Sequence, residues 1–152
     1  MTITKYAKEA EIHSLSVPKL EYAFFDSKMN SKSKMFYSYT PVTDKITTLQ
    51  KSREITVIFP MKFSAISKQD QADGSKKEEL FFKLNVEYKV VFRCESKAKV
   101  SEKVKKEIAN QLVPRVIHPY FRQTVSEALQ KAGLPPLHIP LIESYEDDEV
   151  EL

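Results

Sequence analysis

The most regular pattern of hydrophobic and polar positions lies between residues 78 and 93, where the two kinds of side chain alternate. A period of two predicts a strand with one buried face. A second alternating run, residues 53–67, predicts another such strand, and Pro60 within it indicates an edge position or a bulge. The polar connection between them predicts an antiparallel hairpin whose apolar faces lie on the same side. In the later strand this face contains Leu80, Phe82, Leu84, Val86, Tyr88, Val90 and Phe92.

Two earlier runs predict strands that are rich in aromatic residues. The first, residues 11–25, becomes aromatic towards its end, and Pro18 indicates an edge strand. The second, residues 35–42, is short, and residues 43–51 are expected to turn the chain. Alternation places Leu20, Tyr22 and Phe24 on one face of the first strand and Phe25 on the other, while Tyr37 and Tyr39 share a face of the second.

The C-terminal part of the chain predicts helices followed by an extended segment. Residues 101–112 show the spacing of a short helix, and a long helix is predicted from Pro114 to Gly133, because proline suits a first turn and glycine an end. His118 is expected on its polar side. The three prolines of residues 134–142 predict an extended apolar segment, which we call the strap. The apolar stripe of the long helix contains Val116, Ile117, Tyr120, Phe121, Val125, Ala128, Leu129 and Ala132.

This order of elements predicts an α+β fold, a four-stranded antiparallel sheet followed by a long amphipathic helix. Residues 1–142 are expected to form one domain, and residues 143–152 an acidic C-terminal tail that keeps the protein soluble. The tail holds six of the 21 acidic residues, so that the other 142 residues carry 24 basic and 15 acidic side chains, a net charge of +9. A basic body leaves a nucleic-acid-binding module open as an alternative function.

The composition of the chain limits the kinds of chemistry that the protein can carry out. With one cysteine, Cys94, the chain cannot form an internal disulfide, and no apolar run approaches the roughly 20 residues that span a bilayer, so we expect a cytoplasmic protein without a membrane segment. The three histidines, His13, His118 and His138, lack metal-ligand spacing. We therefore predict no enzymatic activity, cofactor or metal. The alternative is an enzyme that uses Cys94 as a thiol nucleophile, and replacing Cys94 would test it.

The chain contains 16 phenylalanines and tyrosines, more than a catalytic site would explain. Contiguous exposed aromatic surface is usually a binding site, whereas buried aromatic residues build a core. Both interpretations remain open for six residues at the ends of the first two strands: Tyr22, Phe24, Phe25, Met35, Tyr37 and Tyr39.

The run from Val116 to Arg122 resembles the SecB family of export chaperones. It consists of an apolar pair, one spacer, Pro-Tyr, and an arginine two positions after the tyrosine. Gly133 and the strap follow in the order found in that family. The resemblance implies a SecB-like fold, a homotetramer formed as a dimer of dimers, and binding of unfolded polypeptide without ATP. It implies client contacts at Tyr22, Phe24, Phe25, Met35, Tyr37, Tyr39, Leu134, Leu137, Ile139 and Leu141, and an oligomer interface at Val116, Ile117, Tyr120, Phe121 and Val125.

The chain also departs from this family. Family members usually carry a second helix after the strap, where this sequence becomes acidic. Export chaperones dock on the SecA motor through acidic residues of the sheet; Glu21 stands at one such position, whereas Ser16 or Val17 and Asn85 stand at others. These departures favour one dedicated client, an antitoxin of a toxin–antitoxin pair. A general export chaperone that delivers precursors to SecA is the alternative.

Overall fold

The computed structural model describes residues 1–25, 34–70, 72–96, 99–135, 137 and 139. An antiparallel sheet of five strands carries a long helical segment on one face. This confirms the α+β class and the sheet-then-helix order, but the sheet has five strands instead of four. The strands are β1 (Ala10–Phe24), β2 (Lys34–Pro41), β3 (Thr47–Lys51), β4 (Glu54–Asp70) and β5 (Lys76–Cys94), and the helices are α1 (Ile3–Glu9), α2 (Glu102–Glu107) and α3 (Val113–Ala132).

The additional strand, β3, forms where the chain was expected only to turn. It pairs with residues 54–58 of β4, while β2 pairs with residues 61–68 of the same strand, so β2 and β3 form one interrupted edge column. Pro60 of β4 lies at the interruption, where its carbonyl accepts a hydrogen bond from the Val42 amide at 2.9 Å. The predicted edge or bulge position of Pro60 is therefore wrong. β4 is paired on both sides, and the missing proline amide is tolerated because it faces the gap.

The two long strands, β4 and β5, pair antiparallel and bury the same face, as predicted. One member of the predicted buried face is wrong. The register shifts between Ala65 and Ile66, which leaves Phe81 as an extra residue in β5. An extra residue reverses the alternation on one side of it. Leu80 therefore pairs with Ile66 on the opposite face and is 37% exposed, while Phe82 is fully buried.

The first strand, β1, has no clean alternation in sequence because its pairing with β5 is irregular at two places, between Ile12 and Ser14 and between Ser16 and Lys19. Each irregularity adds one residue to β1 and shifts the alternation by one position. In consequence Ile12, Leu15 and Leu20 all pair with residues of the buried face of β5.

The helical segment runs from α2 through a π-helical turn, Ile108–Leu112, into α3. The Ser101 hydroxyl accepts a hydrogen bond from the Val104 amide and caps α2. Gly133 ends α3 in the left-handed conformation with a φ of 65°, which confirms its predicted role.

The buried face of α3 is rotated relative to the predicted stripe. His118, expected on the polar side, is only 3% exposed, because it lies four residues after buried Pro114 and three before buried Phe121. Tyr120, expected within the stripe, is 51% exposed. Helix α3 thus packs on β4 and β5 through Val113, Pro114, Ile117, His118, Phe121, Val125, Ala128 and Leu129.

The N-terminal helix α1 was not predicted, since Tyr6 is its one fully buried residue and only Ile3 joins it against the core. The Tyr6 ring is fully buried and meets Phe92 edge to face at 6.3 Å. Its hydroxyl has no hydrogen-bond partner among the described residues, and burial raises its pKa. No helix in the described part of the chain is long and apolar enough to cross a membrane.

Candidate functional site

A strip of apolar side chains on β1 lies on the helix-covered face of the sheet but beyond the helix. Helix α3 packs on β4 and β5, whereas β1 is the outermost strand on the far side of β5. Four side chains of β1 that pair with the buried row of β5 therefore keep 48–53% of their surface exposed, while Leu15 is half-buried against the core. We call this surface the edge strip; it consists of Ile12, Leu20, Tyr22 and Phe24.

The aromatic part of the edge strip rests on buried aromatic rings. Phe24 lies 5.1 Å from Phe82, measured between ring centroids, and Phe82 lies 6.2 Å from Phe63. Phe63 in turn stacks on Tyr37 of β2 at 5.7 Å. Four strands thus share one series of ring contacts, and a ligand on the edge strip meets side chains that packing already holds in place.

The strap closes the other side of the same face. The Tyr37 hydroxyl donates a hydrogen bond to the Pro135 carbonyl at 2.7 Å, and Arg122 Nε donates to the Ile139 carbonyl at 2.8 Å. Leu134 and Leu137 pack against the core, and Ile139 is only 4% exposed. The Ile139 side chain thus belongs to the core of the chain in this state, and its predicted client contact stays a prediction.

The predicted client-contact residues thus separate into groups. Tyr22 and Phe24 lie together on the exposed edge strip. Alternation places Phe25, which is 44% exposed, on the opposite face of the sheet. Leu141 lies outside the described residues. Met35, Tyr37 and Tyr39 of β2 are half-buried and pack against the core, as do Leu134 and Leu137 of the strap.

Sequence reasoning missed Ile12 and Leu20 as members of the exposed surface. The sequence does contain a signal for Leu20: it precedes Tyr22 by two residues, so alternation places both side chains on the same face. Ile12 lies eight residues before Leu20, so a strict period of two also places it on this face. The two irregularities of β1 between them each shift the alternation by one residue and so offset each other.

The edge strip borders an unpaired strand edge. Within the described chain β1 pairs only with β5, so the other edge of this 15-residue strand has no partner. Unpaired backbone groups at a sheet edge can bind another extended chain through main-chain hydrogen bonds. Apolar side chains and a backbone edge are therefore available side by side.

The predicted oligomer interface is largely internal to one chain. Ile117, Phe121 and Val125 are at most 1% exposed without a second copy, because they pack on the sheet. These three side chains belong to the core of the single chain, and the predicted interface stays a prediction. Val116 is half-buried and Tyr120 about half exposed, so these two remain available to a partner.

Groups with reactive chemistry lie inside the core. Cys94 is 4% exposed and belongs to the hydrophobic cluster, as a structural cysteine does. Searched over the described residues, the chain contains no group of three histidine, cysteine or acidic side chains that could hold a metal. The arrangement at β1 offers apolar side chains and an unpaired backbone edge.

Comparison with known proteins agrees with this architecture. A family model described as preprotein translocase subunit SecB matches residues 46–145. Two curated relatives, the protein-export proteins SecB of Orientia tsutsugamushi strains Boryong and Ikeda, are each 38% identical over 65 residues, which is 43% of this chain. The aligned stretch spans only 39% and 38% of the length of these relatives.

A solved structure of a SecB-like chaperone from Mycobacterium tuberculosis, in complex with a ChAD peptide from the HigA1 antitoxin, has the same fold. It matches with a TM-score of 0.74 at 15% sequence identity, over 92% of this chain and 95% of that one. The family model covers 100 of the 152 residues. The chain therefore belongs to the SecB family.

Proposed function

We propose that this protein is a chaperone that holds unfolded polypeptide without ATP, and that the edge strip is its primary client-binding surface. The observation that carries the proposal is the exposure of Ile12, Leu20, Tyr22 and Phe24 beside an unpaired strand edge. Unfolded clients present what such a surface binds, namely apolar side chains and an extended backbone.

An extended client segment lying along β1 can use both features at once. Its backbone pairs with the unpaired edge, and every second side chain meets the edge strip. Covering about 100 Å² of a half-exposed aromatic side chain contributes about 2–3 kcal/mol, before the cost of ordering the client is subtracted. Neither contribution depends on one client sequence, which suits a chaperone.

The strap supplies the second half of the client site. Two hydrogen bonds to its backbone, from Tyr37 and Arg122, hold it on the face of the sheet near β2. When the strap opens, the half-buried side chains beneath it extend the apolar surface. These side chains are Met35, Tyr37 and Tyr39, with Leu134 and Leu137 of the strap itself.

We further propose that the client is one dedicated partner, an antitoxin of a toxin–antitoxin pair. Support comes from the outer face of the sheet, where Ser16 and Asn85 stand at positions expected to be acidic in motor-docking proteins. The solved SecB-like chaperone with the same fold was captured with an antitoxin peptide. The names of the curated relatives favour the second candidate, an export chaperone that serves secretory precursors.

The client surface is tested by suppression of client aggregation, followed by light scattering. The double substitution Tyr22→Ser with Phe24→Ser should weaken suppression several-fold, because it removes two exposed rings. Phe36→Ser is the matched control, since Phe36 is 42% exposed and pairs with Ile66 on the outer face. Equal activity of the double variant and the control would contradict the proposal. Loss of folding in the double variant would instead show that the two rings belong to the core.

The client's identity is tested by affinity capture from the native host. One dominant small partner, retained when salt is raised, supports a dedicated client held by apolar contacts. A broad set of precursors together with SecA would contradict it. Loss of binding at high salt would favour the nucleic-acid alternative, since phosphate contacts weaken steeply with salt.

A further inference from the structure

The outer face of the sheet, opposite the helices and the edge strip, carries a groove of its own. Two adjoining clefts of about 410 and 400 Å³ share Lys62 and Lys83 in their lining. Leu80 contributes apolar surface because the extra residue at Phe81 turns it to this face. We call this surface the lysine groove and define it by Ser38, Lys45, Lys62, Ser64, Leu80 and Lys83.

The two central lysines are close to each other and unpaired. Lys62 lies opposite Asn85 and Ser64 lies opposite Lys83, so the lysines are diagonal neighbours on adjacent strands, roughly 7–8 Å apart at Cα. Neither makes an ion pair with any described residue, whereas Lys19 beside them pairs with Glu21 at 3.7 Å. Like charges at this spacing repel, so a bound anion stabilises both.

Hydroxyl groups complete the polar part of the groove. The Ser38 and Ser64 hydroxyls lie 2.9 Å apart, next to the lysines. Ammonium and hydroxyl groups together are the donors that carboxylates accept from. Glu21 and Glu87 line the far end of the groove and repel any anion there, so the groove fits an anion that is short enough to stay at the end near Ser38 and Ser64. The lysine groove therefore suits a short acidic peptide.

We propose that residues 143–152 of this same chain occupy the lysine groove. This segment contains six carboxylates, together with Tyr145, Val150 and Leu152 that can contact Leu80. The chain is last described at Ile139, on the helix-covered face. The thirteen residues that follow reach about 40 Å when extended, which is about four times the roughly 10 Å between two packed layers and therefore enough to pass around the sheet to its outer face. Because the segment is tethered to the groove, its local concentration is in the millimolar range. A separate acidic partner of equal affinity would need a higher concentration to displace it.

A zero-length coupling reaction in the full-length protein tests this placement, since a carbodiimide joins only a carboxylate and an amine in contact. At low salt, peptide mapping should find amide bonds from residues 143–151 to Lys62 and Lys83, several-fold fewer at 1 M salt. Bonds mainly to Lys103 or Lys131, on the helices, would overturn the proposal. The absence of any bond to Lys62 or Lys83 would overturn it as well. In a mixture of isotopically light and heavy chains, bonds found only between copies would also overturn it.

A second measurement follows cleavage of residues 143–152 by a glutamate-specific protease. The pair Lys62→Gln with Lys83→Gln should be cleaved about five-fold faster than the parent protein, because the segment is released. The control pair Lys89→Gln with Lys131→Gln removes the same charge outside the groove and should leave the rate unchanged. Equal rates for the two pairs would show that net charge alone, and not the groove, acts on the segment.

Discussion

Two tyrosine hydroxyls of this protein differ in whether they find a hydrogen-bond partner. Tyr37 donates to the Pro135 carbonyl at 2.7 Å and ties the strap to β2. Tyr6 is fully buried, and its hydroxyl has no partner among the described residues. A made hydrogen bond adds a modest net stability, whereas a buried hydroxyl without a partner reduces it.

Removing each hydroxyl should therefore change stability in opposite directions. Tyr37→Phe is expected to lower the free energy of unfolding by about 0.5–1.5 kcal/mol and to speed hydrogen exchange at Leu137. Tyr6→Phe, which keeps the buried ring, should leave stability unchanged or raise it. Urea denaturation of both variants measures the difference. A larger loss for Tyr6→Phe would mean that its hydroxyl is bonded in solution.

At the scale of elements, the contact between β5 and α3 includes one partly buried polar pair. The Tyr88 hydroxyl lies 3.1 Å from the Thr124 hydroxyl, beneath the helix. Burial raises the pKa of Tyr88 to about 12, and the hydrogen bond with Thr124 offsets only part of this increase. The folded protein thus holds the tyrosine proton more tightly than the unfolded chain does, where the pKa is about 10.

This difference predicts alkaline destabilisation. Below pH 10 Tyr88 is protonated in both states and its contribution is complete; as pH rises from 10 to 12 the unfolded chain loses the proton first, and stability falls. The slope is about 1.4 kcal/mol per pH unit for one tyrosine. Tyr88→Phe should flatten the decline by about this amount, measured by denaturation across that range. An unchanged slope in the variant would assign the effect to other groups, including Tyr6, whose pKa is also raised.

At the scale of the whole molecule, apolar surface stays exposed on both the sheet and the long helix of one chain. The edge strip lies along β1, and Tyr120 projects from α3 with 51% of its surface exposed. Neither is covered by any described part of the same chain. Because the edge strip is proposed to bind the client, the apolar surface left for a second copy is that of Tyr120 and the half-buried Val116 on α3.

We therefore expect a tetramer, a dimer of dimers, at micromolar concentration in multi-angle light scattering. Tyr120→Asp should yield a smaller species, because a charge at an apolar contact opposes association. Leu49→Asp is the control, since Leu49 of β3 is 67% exposed and its replacement should leave the mass unchanged. A parent protein that is monomeric under these conditions would remove the support for a tetramer.

Local sequence determined the type of most elements. The alternation of residues 78–93 predicted β5, and the spacing of apolar residues between Pro114 and Gly133 predicted α3, because each periodicity matches one backbone geometry. The run from Val116 to Arg122 identified the family. The short strand β3 could not be predicted, since five residues carry too little periodicity to be distinguished from a turn.

Tertiary structure alone decided which apolar residues are exposed. Leu15 pairs with the buried row of β5 because of irregularities in strand pairing, and Leu80 leaves the core because of one extra residue at Phe81. Such shifts depend on the neighbouring strand, which no local pattern records. The position of α3 over β4 and β5 buries Phe82 and leaves Phe24 half exposed, although the two residues pair on the same face and have the same side chain. Sequence therefore determined what the strands and helices are, whereas packing determined where the binding surface lies.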